Sequence, residues 1–205
     1  MKTLMPLRKS SVRMNLFVLL LFGCFFGNAQ VEETERTNPN KPETELPPDI
    51  HWDVKAYRPE AELLKIKAIA KDGTIYDVKA IQNSDDISVL NVKVIVNGKR
   101  LPVKLIVKGD DRYYPLKCIN SDGTLIDIKA ITKEGDILDV KGVSKSGNII
   151  HIRAITKNDV SYNIIAISPD GKVNDVKGIK MLDTEVEAII NGVSIFSHVK
   201  ALRQN

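Results

Sequence analysis

Residues 116–187 read LKCINSDGTLID, IKAITKEGDILD, VKGVSKSGNIIH, IRAITKNDVSYN, IIAISPDGKVND and VKGIKMLDTEVE, six consecutive copies of one twelve-residue unit. A further copy, IKAIAKDGTIYD, occupies residues 66–77. The consensus is an apolar residue, Lys, Ala or Gly, and Ile, then a polar turn ending in Gly, then alternating residues closing on Asp. Six copies in tandem make chance similarity untenable. The unit is too short for a pair of helices and lacks their i, i+3, i+4 spacing. It alternates instead, is rich in Ile and Val, and is punctuated by Asp-Gly, Glu-Gly and Ser-Gly, which is the pattern of one short strand and a tight turn. Successive strands joined this way run antiparallel.

Turn length can be read from the requirement that opposed residues share a face. A three-residue loop Lys133-Glu134-Gly135 sets Thr132 against Asp136 and gives Gly135 the left-handed conformation that closes such a loop. Lys129 then faces Asp139, and Ile131 faces Ile137. A four-residue loop would set partners on opposite faces. The same rule sets Lys67 against Asp77 and Ile69 against Ile75. Extended over five strands, it sets Asp127 against Lys141 and makes one row of Lys129, Asp139, Arg153, Asn163 and Lys177. A second row is Asp127, Lys141, His151, Ile165 and Asp175. The other face carries Ile128, Val140, Ile152, Ile164 and Val176, flanked by Ala130, Leu138, Ala154, Tyr162 and Gly178. That face is the expected core.

Val96-Asn97-Gly98-Lys99 signals a two-residue hairpin, and Asn191-Gly192 another. Pro102 and Pro115 replace the Asp of the repeat and cannot donate a ladder bond, so they are expected at bulges or an edge. A seam between sub-sheets falls near residues 108–112. The expected fold is all-β: an antiparallel up-and-down meander of about 12–13 short strands, closed or folded into a barrel or sandwich, because sheets of more than about ten strands curl, close or split. An extended single-layer sheet is the alternative. Lys and Asp at the centre of one face argue against a membrane-spanning barrel.

The rest of the chain is organised around this domain. Lys2, Arg8, Lys9 and Arg13 precede an apolar run from Leu16 to Phe26 and the small residues Gly27 and Ala29, the layout of a secretory signal peptide over residues 1–29. Leu21-Phe22-Gly23-Cys24 is an imperfect lipobox, so lipidation at Cys24 is the lesser alternative; Phe25 and Phe26 follow where lipoproteins turn polar. Residues 30–51 hold four prolines and six acids with almost no hydrophobes, and form an extended acidic tether. The expected location is periplasmic, secreted or cell-surface, with no transmembrane span in the mature chain. The repeat domain runs over 52–205.

The 205-residue chain is 43% hydrophobic and 27% charged, which excludes wholesale disorder. Its formal charge of +4 is the resultant of larger asymmetries. The four cations of the leader have no acids beside them, the tether carries a net −4, and the repeat domain holds 24 cations to 20 acids. Two cysteines form no disulfide scaffold, and Cys118 takes an Ala position as a lone buried thiol.

The sequence holds no Gly-rich phosphate loop, zinc spacing or nucleophile motif, so it names no catalytic residue, cofactor or metal and leans away from an enzyme. His51 in the tether, His151 at an Asp position and His198 in the last strand share no local spacing. The turns Asp72-Gly73, Asp122-Gly123 and Asp170-Gly171 lack the ligand spacing of a calcium loop. Acids interleave the lysines in the same rows and aromatics are few, which argues against nucleic acid. Trp52, Tyr57, Tyr113 and Tyr114 are the aromatic candidates for a sugar platform, with core packing the competing use.

The phrases DVKAI, DGTLIDIKAI and NGVSIFSHVKAL resemble a family of secreted Bacteroidota β-repeat proteins of unknown function, over roughly residues 52–205. The resemblance implies an extracytoplasmic β-repeat domain and carries over no functional residue. The reading that follows is an exported, non-enzymatic module binding a protein or glycan partner. Its rivals are a barrel with a small-ligand or enzymatic site in a lumen or in the irregular N-terminal half, and a purely structural envelope component.

Overall fold

The computed structural model describes residues 48–107, 113–180, 188–190 and 193–204. Among these residues thirteen strands make one antiparallel sheet. In chain order they are β1 (Ile50–Tyr57), β2 (Leu64–Ile69), β3 (Ile75–Gln82), β4 (Val89–Val96) and β5 (Lys99–Val107). Then follow β6 (Tyr114–Ile119), β7 (Leu125–Ile131), β8 (Ile137–Ser146) and β9 (Ile149–Ile155). The last are β10 (Ser161–Ile167), β11 (Val173–Ile179), β12 (Ala188–Ile190) and β13 (Val193–Arg203). The first strand begins two residues before Trp52, so His51 lies in it rather than in the tether. The expected all-β antiparallel sheet of about 12–13 strands is present.

How the sheet closes is set by where its hairpins split. At the Lys133-Glu134-Gly135 turn, Thr132 N–H donates to Asp136 O (3.0 Å) and Gly135 has φ 94°. The three pairs Ile131–Ile137, Ala130–Leu138 and Lys129–Asp139 form as expected, and then the strands diverge. Beyond that point β6 enters between them: Asp127 pairs with Lys117, and Lys141 with Pro115. The long rows read from the sequence therefore break after three pairs, and Asp127 does not face Lys141. Likewise β8 and β9 are joined by a two-residue turn at Gly147-Asn148 with a bulge between Gly142 and Ser144, so Arg153 faces Lys141 rather than Asp139.

The same split recurs throughout, and it produces four three-stranded junctions. The first unites β1, β2 and β3; the second β4, β5 and β13; the third β6, β7 and β8; the fourth β9, β10 and β11. Each junction is joined to every other by one strand pair: β3–β4, β2–β7, β1–β10, β5–β6, β11–β13 and β8–β9. The connectivity is that of a tetrahedron, with junctions as its four corners and strand pairs as its six edges. Among the described residues eleven strands have three partners each, β13 has four, and the short β12 hangs on β13 alone. Closure in two directions removes the exposed ladder edges that an open sheet would have to protect.

The repeat explains why such short strands can close over a core. At each junction three β-branched or Leu side chains point inward: Val54, Ile66 and Val78; Val92, Val103 and Val199; Leu116, Ile128 and Val140; Ile152, Ile164 and Val176. All are buried. Two residues on, the repeat's small residue faces the neighbouring junction across the edge, as in Ala68 opposite Ile128, Ala56 opposite Ile164 and Ala154 opposite Val140. Large opposite small lets adjoining strands approach without overpacking.

One exception is compensated. Leu105 stands at a small-residue position and is fully buried. The copies that face it carry glycine where others carry alanine. A Cβ on Gly178 would fall inside the van der Waals shell of Leu105 Cδ1, 3.0 Å from Ser197 Oγ and 3.2 Å from Ile150 Cβ. A Cβ on Gly142 would lie 2.8 Å from Ile150 Cγ2 and 3.2 Å from Leu105 Cδ2.

The prolines fall where a ladder stops. Pairing of β5 with β6 begins one residue after Pro102, and pairing of β6 with β5 begins one residue after Pro115. Asn97 (φ 49°) and Gly98 (φ 78°) form the expected two-residue hairpin turn. The signal peptide, Cys24, most of the tether, the seam at 108–112 and the turn at Asn191-Gly192 lie outside the described residues.

Candidate functional site

On the outer face each junction is a pinwheel. Every strand sends out a residue at the repeat's Asp position and, two residues on, one at its Lys position. The lysine of one strand is set against the acceptor of the next around the ring. In the third junction Lys117 pairs with Asp127 and Lys129 with Asp139, the latter Nζ–Oδ1 distance being 2.6 Å. Lys141 is set against Pro115 and lies instead over the Tyr113 ring, 4.5 Å from its centroid. In the first junction Lys67 pairs with Asp77, and Lys79 Nζ is 2.5 Å from Asp53 Oδ1. Lys55, 3.4 Å from Asp53 Oδ2, is set directly against Lys65.

The other two pinwheels depart further from the consensus. In the second, Lys93 faces Pro102, Lys104 contacts His198, and Lys200 Nζ donates to Asn91 Oδ1. In the fourth, Arg153 faces Asn163, Ile165 faces Asp175, and Lys177 faces His151 while pairing with Asp175 at 3.2 Å. The four pinwheels together hold twelve cations and five carboxylates. Across the edges, moreover, lysine positions oppose one another: Lys67–Lys129, Lys79–Lys93, Lys104–Lys117, Lys141–Arg153 and Lys177–Lys200. Directly opposed like charges destabilise a sheet, so this surface is not arranged for stability alone.

The electrostatics follow from these contacts. The hydrogen bond from Lys79 holds the Asp53 carboxyl below its ordinary value, and Lys67 and Lys129 do the same to Asp77 and Asp139. Burial, with Lys177 and Arg153 nearby, lowers the His151 imidazole. Burial alone pushes the Cys118 thiol up to about 12. Cys118 is fully buried, so it is an inert core thiol.

The aromatic candidates are dispersed. Trp52 is fully buried, its indole N–H donating to Gln82 Oε1 at 2.8 Å, and Tyr114 packs inward against the core. Tyr113 is exposed beside Lys141, in the third junction. Only Tyr57, 40% exposed, lies on the outer face beside the cations of the first junction. The signal that separates them was available: Trp52-Asp53-Val54-Lys55-Ala56 is the repeat itself, and the residue before its Asp points inward in every copy. His151 and His198 take acceptor positions in different junctions.

Sequence reasoning missed that a copy of the unit occurs in every described strand but β12, with Arg153 and Ile165 in place of the lysine in β9 and β10. Leu90-Asn91-Val92-Lys93, Leu101-Pro102-Val103-Lys104 and Ser197-His198-Val199-Lys200 are copies whose Asp has been replaced. Shallow depressions lie between the charged side chains, including a pit of about 210 Å³ at the first junction and one of about 200 Å³ at the third. A groove of about 530 Å³ runs past His151, Asp175, Lys177 and Arg203. Among the described residues no three His, Cys, Asp or Glu side chains come close enough to hold a metal ion. No helix among them is long and apolar enough to cross a membrane.

Fold and surface together define a class: an all-β repeat protein whose sheet closes on a packed core and bears a cationic outer lattice. The model of a family of unknown function, DUF7486, matches residues 48–202, and the chain belongs to that family. No curated protein and no solved structure matches it significantly.

Proposed function

We propose that the protein is an exported, non-enzymatic binding module of the secreted Bacteroidota β-repeat kind, acting on a protein or glycan partner in the envelope or outside the cell through the outer face of its sheet. The observation that carries this reading is the outer lattice itself, twelve cations against five carboxylates, with cation set against cation at five of six edges. Such an arrangement costs stability in isolation and is relieved when an anionic partner is bound. The interior supports the surface as the working part, because the inward positions of all four junctions are filled by packed hydrophobic side chains. Export rests on residues 1–29, and the acidic segment from residue 30 to the start of β1 at Ile50 serves as the tether between the anchor or cleavage point and the domain.

Affinity capture from native envelopes with the processed chain tests the reading. A saturable partner released by salt is expected; turnover in a broad hydrolase screen with no partner captured would overturn it. Mass analysis of the processed N-terminus tests export. A chain starting at Gln30 fits signal cleavage, a lipidated Cys24 fits the anchored alternative, and an intact leader in a cytoplasmic fraction refutes both.

A further inference from the structure

The first junction differs from the other three in one respect. Its third acceptor position holds a cation, so Lys55 and Lys65 oppose each other inside the ring. Lys65 is exposed, while Lys55 and Lys79 are about three-quarters covered, with side-chain exposures of 24% each. The ring surrounds the pit of about 210 Å³, whose floor is Val54, Ile66 and Val78. The third ring likewise holds two carboxylates, but its third acceptor position is the uncharged Pro115. Here that position adds a cation, so four ammonium groups share Asp53 and Asp77, with Lys55 and Lys79 both on Asp53.

A second observation adjoins the first. Asp53, Lys55 and Tyr57 alternate along the outer face of β1, about 7 Å apart in successive pairs. Leu63, immediately before β2, and Lys65 and Lys67 within it lie at alternate positions. Pairing of Ala56 with Leu64 brings Tyr57 and Leu63 to the same end of the Lys55–Lys65 pair. Both are large apolar side chains in the open, 40% and 45% exposed. Glu62, beside Leu63, is turned away to Lys133 at 2.8 Å. An aromatic face next to two cations suits a pyranose ring that bears an acidic substituent: its C–H face lies on the ring and its anion between the ammonium groups.

We infer that the β1–β2–β3 junction binds an acidic sugar of a polysaccharide, its carboxylate or sulfate held between Lys55 and Lys65 and its ring against Tyr57. The inference rests on the binding-module reading and names the partner's chemistry. Nucleic acid fits less well. Asp53 and Asp77 interrupt the cationic track that a phosphodiester backbone follows, and a single tyrosine gives no run of stacking platforms.

The test uses the full chain at low and raised salt with four probes: polygalacturonate, dextran sulfate, uncharged dextran and an oligodeoxynucleotide. Binding of polygalacturonate or dextran sulfate, weakened by salt, is expected, and the tighter of the two identifies the anion. Lys65→Asp, which sets an acid against Lys55 as in the repeat, should cut affinity at least about tenfold while leaving the melting temperature equal or higher. Tyr57→Ala should cut it several-fold. Lys145→Gln, at the β8–β9 hairpin outside the lattice and on strands that pair with none of β1, β2 and β3, should leave it within about twofold. Wild-type affinity in Lys65→Asp, an equal loss in Lys145→Gln, tighter binding of the oligodeoxynucleotide, or equal binding of uncharged dextran would each overturn the inference. Failure of all four probes, with a partner still captured from envelopes, would overturn this inference and leave the module reading standing.

Discussion

Replacing Gly178 with alanine should destabilise this protein, although Gly→Ala in a strand ordinarily stabilises by about 0.5–1 kcal/mol through reduced chain entropy. Gly178 is buried, and its new methyl would overlap Leu105 Cδ1 and press on Ser197 Oγ at 3.0 Å and Ile150 Cβ at 3.2 Å. Leu105 cannot swing clear, because Gly142 on its other side is itself only a glycine's width from Leu105 Cδ2. Overpacking of this kind costs about 1–3 kcal/mol, enough to exceed the entropic gain. For a chain of this size that is a fall in melting temperature of roughly 3–10 °C. Leu105→Ala alone should cost about 2–5 kcal/mol through the cavity it leaves. The two together should cost less than their sum by about 1–3 kcal/mol, since the alanine at 178 then occupies space that Leu105 vacated. Rescue stays partial because Ser197 and Ile150 remain close. Urea unfolding of the four members of the cycle measures this coupling. Additive costs, or a Gly178→Ala variant more stable than the wild type, would refute the claim that these glycines exist to admit Leu105.

Four further outcomes follow from the same contacts. Reversing Lys129 to Glu and Asp139 to Lys, singly and together, should give a coupling of about 0.2–1 kcal/mol in thermal unfolding, small because Asp139 is 61% exposed; zero coupling would mean the pair is not formed. Ser197→Ala should hold or raise the unfolding midpoint, since Ser197 Oγ is buried without a hydrogen-bond partner among the described residues and such a group costs about 1–3 kcal/mol; a clear loss would reveal a partner. Asp53, Asp77 and Asp139 titrate below 3.8 when folded, so their contribution is complete above that value and is lost as pH falls through the lowered folded values. A Lys67→Gln, Lys79→Gln variant should therefore show a shallower acid limb in urea midpoints, and an unchanged limb would refute the assignment. In a Cys24→Ser background, Cys118 should resist thiol reagents until urea unfolds the domain, and prompt labelling of the native protein would contradict its burial.

Much of this architecture was legible one turn at a time. The three-residue loop at Lys133-Glu134-Gly135 followed from the need for Lys129 and Asp139 to share a face, and the pairs formed as that need dictates. The inward row Ile128, Val140, Ile152, Ile164 and Val176 is buried as the alternation demands. What failed was extension. Carrying one register across five strands assumes that each hairpin stays zipped, and nothing in residues 125–143 announces that β6 will enter between β7 and β8. The candidate surface failed for the same reason. Asp127 and Lys141 look like partners in a continuous row, and only the split shows that Lys141 faces a proline on one side and Arg153 on the other.

The aromatics teach a related lesson. By its chemistry alone Trp52 suits either a sugar platform or the core, and its place in the repeat decides between them. Aligned on Asp53 and Lys55, it falls at the inward position that Ile126, Leu138 and Ile150 occupy elsewhere, and it is buried like them. Tyr57 falls outward by the same alignment.

The amino-acid sequence alone settled strand, turn, face and local register, because these depend on side-chain alternation and on loops of two or three residues, interactions between neighbours in the chain. Tertiary structure decided the four junctions, the opposition of lysine to lysine across the edges, and the glycines that make room for Leu105. These depend on which distant strand fills the gap when a hairpin splits, and twelve related units offer many such partners of similar local energy. The choice among them is made by how the large and small side chains of all the strands fit around one core.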